Sequence, residues 1–274
     1  MTGGPGGAAM TPPAPRGSAN LSLQGVALTY ATSRGPLDAL GPLDLDVADG
    51  EFVAVLGPSG CGKSTLLRIL SGLLPVSQGR AVLRGETIDR PRKDVGIVFQ
   101  QPTLLPWKTV LENVLAPVRV MRIYSDTYRR QAEALLDMVG LSAFASHYPH
   151  ELSGGMQQRV AIARGLLHDP KLLLMDEPFA ALDALTRDQM TVELQTVWER
   201  SQKSVILITH SIPEAVFMAD RVIVLSARPG RIIHTEHVKL PRPRGLDSMA
   251  TAEFSAICDR LRRLLTVKPE THHA

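Results

Sequence analysis

Residues 57–64 read Gly-Pro-Ser-Gly-Cys-Gly-Lys-Ser, and this octet constrains the chain more than any other stretch. Its spacing is G-x-x-x-x-G-K-[ST], in which glycines let successive backbone N–H groups close around a polyphosphate. Gly57, Gly60 and Gly62 supply the turns, and Pro58, Ser59 and Cys61 complete the loop. The Lys63 ammonium is expected to reach the outer phosphates, and the Ser64 hydroxyl to ligate Mg²⁺. Thr65 can donate to an inner phosphate. Such a loop needs a buried strand before it and a helix after it, with the positive end of the helix aimed at the anion. Phe52–Leu56 is an apolar run of the right kind, and Ser64–Leu74 reads as a helix. A chance glycine-rich turn would need neither flank.

A phosphate loop also needs a carboxylate at the end of a neighbouring strand. Leu172-Leu-Leu-Met-Asp176-Glu177 offers two. Asp176 is expected to hold Mg²⁺ through water, and Glu177 to polarise the attacking water as general base. Other continuous apolar runs, Val95–Phe99, Val205–Thr209 and Val222–Leu225, alternate with helical stretches such as Tyr128–Val139 and Leu185–Ser201. That alternation predicts an α/β fold with a largely parallel sheet. Between about residues 102 and 167 no strand pattern occurs, so a helical insert is expected there. Upstream, Leu21 to Tyr30 suggest strands broken near Gly25, and Leu43, Leu45 and Val47 alternate with Asp44 and Asp46 as in a half-buried strand.

Composition removes other classes. With 44% hydrophobic and 21% charged residues among 274, the chain is neither disordered nor fibrous. A net charge of +3, without a basic block, gives no footprint for nucleic acid. Only Cys61 and Cys258 are present, which excludes a disulfide framework. No apolar run approaches the roughly 20 residues that span a bilayer. Residues 1–19, rich in Gly and Pro, are expected to be a flexible tail and not a signal peptide. Residues 241–274 form an extension in which Phe254, Ile257, Leu261, Leu264 and Leu265 share one helical face.

The segment Leu152-Ser-Gly-Gly-Met-Gln-Gln158 is a second anion-binding candidate. Ser153 is a good helix N-cap, and Gly154-Gly155 would leave first-turn N–H groups accessible. Two phosphate-binding surfaces in one chain suggest that each serves a different nucleotide or a different subunit. With these residues together, residues 20–240 resemble the ATP-binding subunit of ABC transporters. The resemblance assigns Gly57–Ser64 to Walker A, Gln100 to the Q-loop, Ser153, Gly154, Gly155 and Gln157 to the signature, and Asp176-Glu177 to Walker B with the catalytic glutamate. It makes Tyr30 the aromatic that stacks on adenine, Ala181-Leu182-Asp183 the D-loop and His210 the switch histidine. Taken singly, Tyr30 is an ordinary core aromatic, Asp183 a helix cap and His210 a satisfied polar residue.

The resemblance implies a P-loop core sheet, an antiparallel β subdomain and a helical subdomain. ATP and Mg²⁺ are the implied ligands, with Ser64, Gln100 and Asp176 around the metal and Glu177, His210 and Gln100 in catalysis. It further implies a homodimer with ATP between one P-loop and the other subunit's signature helix. Transmembrane permease subunits, and indirectly a solute-binding protein, are the implied partners, at the cytoplasmic face of the membrane. The Leu104-Leu-Pro-Trp107, Ala227-Arg-Pro-Gly-Arg231 and Leu240-Pro-Arg-Pro-Arg244 segments are similar to the nitrate, sulfonate and taurine importer subfamily. That subfamily also includes importers of pyrimidine and other vitamin precursors. A non-transport ABC ATPase acting on DNA or ribosomes would typically carry two nucleotide domains, a long coiled coil or zinc cysteines, and none is visible in the sequence.

Overall fold

Short runs without a polar residue must be covered on both faces, and parallel strands inside an α/β layer meet that demand. The computed structural model describes residues 20–180, 182–201 and 203–266. The expected flexible tail at 1–19 lies outside the described residues. An antiparallel pair, β1 (Leu21–Thr32) and β2 (Gly35–Val47), leads into β3 (Phe52–Leu56) and α1 (Lys63–Leu70). Next come β4 (Gln78–Leu83), β5 (Glu86–Thr87) and β6 (Val95–Val98), then α2 (Val110–Val120), α3 (Asp126–Met138) and α4 (Gly154–Leu166). The chain continues through β7 (Leu172–Asp176), α5 (Ala184–Ser201), β8 (Ser204–Ile208), α6 (Ile212–Met218), β9 (Arg221–Leu225), β10 (Ile232–His237) and α7 (Ala252–Thr266).

The strands form two sheets, ordered β2-β1-β4-β5 and β10-β9-β3-β8-β7-β6. The first is antiparallel; in the second only β10 runs against its neighbour. Along β3, Phe52, Ala54 and Leu56 enter one core with α2, α4, α5, α6 and α7. Val53 and Val55 point to the opposite core, shared with α1 and the antiparallel sheet. The parallel strands β3, β6, β7, β8 and β9 each divide their apolar residues between the two cores, and each fully buried aliphatic side chain contributes roughly 1.5–3 kcal/mol. Residues 102–167 contain helices and turns but no strand.

Three local readings differ from the sequence expectation. β1 is one strand, not two: its register shifts around Gly25, which adopts φ 59°, so the irregularity is a bulge. α1 stops at Leu70, four residues early, because Gly72 takes φ 72° where the chain passes against Arg90; a Cβ there would lie 2.0 Å from the Arg90 carbonyl oxygen. β4, β5 and β10 were not legible as strands. β4 begins with three exposed residues, and β10, Ile-Ile-His-Thr-Glu-His at a sheet edge, has two apolar residues followed by four polar ones.

The C-terminal extension is anchored by arginines. Arg244 is 2% exposed, and its guanidinium donates to the carbonyls of Val216, Phe217 and Ala219 at 2.8–3.0 Å. Burial pulls its pKa down to about 10, which still leaves it charged at neutral pH. Arg242 lies 4.3 Å from the Trp198 ring centre and pairs with Asp220 at 3.0 Å. α7 then packs Phe254, Ile257, Cys258 and Leu261 into the core. Replacing Arg244 by Leu leaves those carbonyls without donors. We expect Arg244→Leu to lose roughly 3 kcal/mol, about 10 °C in Tm. An unchanged melting curve would show that this arginine anchors nothing.

Candidate active site

The parallel strands β9, β3, β8, β7 and β6 all end at the same edge of the sheet. Carboxyl ends of parallel strands are where α/β folds gather ligand groups. Residues 57–62 leave β3 at this edge, Asp176-Glu177 leave β7, and His210 follows β8 between them. Gln100 follows β6, the outermost of these strands.

The loop after β3 is shaped by close backbone approach. Gly62 adopts φ 102° and caps α1 without a side-chain bond; a Cβ on it would meet the Ala39 carbonyl oxygen at 2.7 Å. The segment after β9 presses on the other side, where a Cβ at Gly230 would fall 2.0 Å from the Cys61 carbonyl oxygen. Cys61 is buried, and that burial pushes its thiol pKa up despite the pull of Lys63. It therefore packs as a neutral thiol. Lys63 Nζ donates to the carbonyls of Gly57 at 2.6 Å and Pro58 at 3.1 Å.

A cleft of about 350 Å³ opens over this loop. Tyr30, Ser59, Gly60, Gly62, Lys63, Ser64, Thr65 and Glu177 line it, so the structure brings these expected residues together. Gly57, Pro58 and Cys61 complete the loop but do not line the cleft. The Tyr30 hydroxyl lies 3.2 Å from Thr65 Oγ1. Leu37, Ala39 and Arg228 also line the cleft and were not anticipated. Arg228 Nε donates to the Gly60 carbonyl at 3.2 Å. The Ala227-Arg-Pro-Gly-Arg231 segment was visible in the sequence, but nothing local indicated that it folds back onto residues 57–62. Leu37 and Ala39 lie on β2, whose pairing with the loop is tertiary.

Across the cleft Glu177 is held in an uncommon conformation. Its φ is 44°, a region disfavoured for residues with a Cβ, and its N–H donates to the Ile208 carbonyl at 2.8 Å. Such strain persists where surrounding structure enforces it, and it clusters at active sites. The Glu177 carboxylate meets His210 Nδ1 at 3.1 Å. Asp176 is half-buried; burial, then the charge of Glu177, pushes its pKa up, while Lys63 and Arg68 pull it back.

The residues present fit a nucleotide triphosphate with Mg²⁺. The backbone N–H groups of Gly62, Ser64 and Thr65 donate to no described residue, and with that of Lys63 they lie at the positive end of α1. Among the described residues no cluster of three His, Cys, Asp or Glu side chains could hold a metal alone. Mg²⁺ suits a site of one carboxylate and one hydroxyl completed by substrate phosphates. Asp176 and Ser64 offer those donors.

Other expected residues stand apart from this cleft. Ser153 caps α4, its hydroxyl accepting from Met156 N–H at 3.3 Å, and Gly154 is open to solvent. Gly155 abuts α5, where a Cβ would approach Thr186 at 3.1 Å. The Gln157 amide donates to the carbonyls of Pro149 and Leu152, bracing its own turn. Asp183 caps α5 through Thr186 N–H at 3.0 Å and its hydroxyl at 2.7 Å. Ala181 lies outside the described residues. Gln100 is exposed and does not line the cleft.

Comparison with known proteins decides the family. Residues 40–180 match the family described as ABC transporter. A taurine import ATP-binding protein of Rhizobium johnstonii is 49% identical over 195 residues, covering 71% of this chain and 74% of the relative. An aliphatic sulfonates import ATP-binding protein of Bacillus cereus is 41% identical, covering 85% and 92%. Among solved structures, the dimeric post-hydrolysis state of an ATP-binding cassette bound to ADP and Pi is similar, with TM-score 0.70 and 34% identity over 81% of this chain. The chain belongs to the ABC transporter family.

It is an ABC ATPase, and its cleft is the candidate site for ATP. In this ATPase, Lys63 is the cation held against the candidate phosphate loop, on the Gly57 and Pro58 carbonyls. Charged hydrogen bonds of this kind contribute about 1.5–3 kcal/mol each. Lys63→Ala is therefore expected to weaken ATP binding by up to roughly a hundredfold, with little change in Tm. Near-normal affinity in equilibrium titration would count against the loop as the phosphate site.

Proposed function

We propose that this ATPase powers the import of a small organic sulfonate of the taurine class. In this reading it works as a homodimer bound to transmembrane permease subunits at the cytoplasmic face of the membrane. A solute-binding protein would deliver the solute to the outer side. The observation that carries the reading is the cleft itself, in a chain that shares 49% identity with a taurine import ATP-binding protein. The 41% identity to an aliphatic sulfonates import protein adds to it.

The chemistry follows from the residues at the sheet edge. The N–H groups of residues 62–65 and the Lys63 ammonium hold the phosphates and offset their charge. Tyr30 presents its ring to the base. Ser64 and Asp176 would hold Mg²⁺, which would neutralise phosphate charge when bound; Gln100, exposed after β6, would add a ligand only by moving toward the cleft. Glu177 accepts a proton from water as that water attacks the γ-phosphorus, and the bond to the ADP oxygen breaks. His210 holds the Glu177 carboxylate in place from β8. The α4 end, with Ser153, Gly154 and Gly155, contributes to the site of a second copy, and Asp183 lies beside that contact. Gln157 supports it by bracing the turn before α4.

The surface that would meet the permease is also ordered. Trp107 is 69% exposed, at the end of a loop that Pro102 and Pro106 keep irregular. Asn113, fully buried, accepts from Leu105 N–H at 2.7 Å and donates to the carbonyls of Leu105, Lys108 and Thr109. Arg164 donates to the Pro102 carbonyl at 2.7 Å and the Thr103 carbonyl at 3.0 Å. An aromatic side chain held out on a fixed loop suits a partner helix.

Glu177→Gln should bind Mg-ATP normally yet hydrolyse it at least about a hundredfold more slowly, because general-base catalysis contributes 10²–10⁴. Wild-type turnover would remove Glu177 from that role. Tagged Glu177→Gln, loaded with Mg-ATP, should recover a multi-span permease from solubilised host membranes. Recovery of ribosomal or DNA-repair proteins without a membrane protein would reject the transport reading.

A further inference from the structure

Behind the cleft lies a polar cluster that the chemistry above leaves unused. Glu214 sits in the first turn of α6 and is 7% exposed. A carboxylate at that depth requires partners. Its Oε2 accepts from the Thr209 hydroxyl at 2.7 Å. Thr209 Oγ1 in turn accepts from Ser211 N–H at 3.0 Å, so these bonds flank His210 and fix the turn on which its ring stands. Glu214 Oε1 faces Arg187 Nε at 3.6 Å. That Nε is buried and has no hydrogen-bond partner among the described residues. The other arm of Arg187 donates from Nη2 to the Leu182 carbonyl at 2.9 Å.

The β7–α5 and β8–α6 units are therefore joined by side chains twice, once between the connections and once between the helix starts. Glu177 meets His210 at the cleft, and Arg187 meets Glu214 behind it. The geometry points to Glu214 and Arg187 as a positioning pair that ties the His210 turn to the Leu182–Asp183 segment, so that the two move together during turnover. This rests on the roles given above to Glu177 and His210. Burial pushes the Glu214 pKa up, and the Thr209 hydroxyl, Arg187 and His210 pull it back. The alternative is a capping role for Glu214, in which its charge is irrelevant and Gln serves equally well.

The two roles separate in steady-state kinetics of the full chain. Glu214→Gln keeps the shape and an oxygen for Thr209 but removes the charge facing Arg187. Glu214→Gln and Arg187→Ala should each lower kcat about tenfold, with KM for Mg-ATP and Tm nearly unchanged. The double variant should lose no more than the worse single variant, and Arg187→Lys should recover most of the rate. Wild-type kcat in Glu214→Gln, or a double variant whose loss is the product of the single losses, would overturn the pair. Should Arg187→Ala fail to fold, Glu214→Gln and Arg187→Lys still decide. If Glu177→Gln turned over normally, the underlying reading would fail with it; normal Glu214→Gln beside an inactive Glu177→Gln would sink the pair alone.

Discussion

The parallel pairing of β3, β8 and β7 is the constraint on which the rest of this structure depends. Val55 stands opposite Ile208, and Ile208 opposite Asp176. Those registers bring the phosphate loop, the His210 turn and the Asp176-Glu177 pair to one level. A slip of one residue in β8 would exchange its two buried faces and carry His210 away from Glu177. Two separate cores resist that slip, because Val205 and Leu207 enter one while Ile206 and Ile208 enter the other. Packing far from the cleft thus holds a 3.1 Å contact inside it.

Much of this was legible because its signals are local. Glycine spacing at 57–62, the apolar run before it and the carboxylates after Leu172–Met175 each follow from a few adjacent residues. Phe52–Leu56 was read with the observed boundaries because nothing polar interrupts it. What escaped depends on contacts distant in sequence. Arg228 reaches Gly60 across 168 positions, and Leu37 and Ala39 join the cleft through the fold of β2. The early end of α1 depends on Arg90, and the strand character of β10 on a neighbour in space. Glu214 reads as a helix-start residue; its burial against Thr209 and Arg187 is a tertiary fact.

The arrangement also bears on the two anion-binding ends that the sequence leads one to expect. The phosphate loop and α1 face the cleft, whereas the capped end of α4 does not line it. Gly154 is open to solvent, and the Gly155 position is tight against Thr186. A nucleotide held by the first surface gains the second only from another copy, in the sense of the proposed homodimer. Hydrolysis then becomes conditional on assembly, and the difference in affinity between closed and open dimers is what the nucleotide can convert into motion.

The direct test is the mass of the hydrolysis-deficient Glu177→Gln chain in solution, measured by light scattering with and without Mg-ATP. The account predicts a change from the 29.7 kDa of one chain to twice that mass on adding nucleotide. Placing a like charge at the second surface with Ser153→Glu should abolish the change. A chain that keeps its single mass at saturating Mg-ATP, or that doubles equally well with Ser153→Glu, would contradict it.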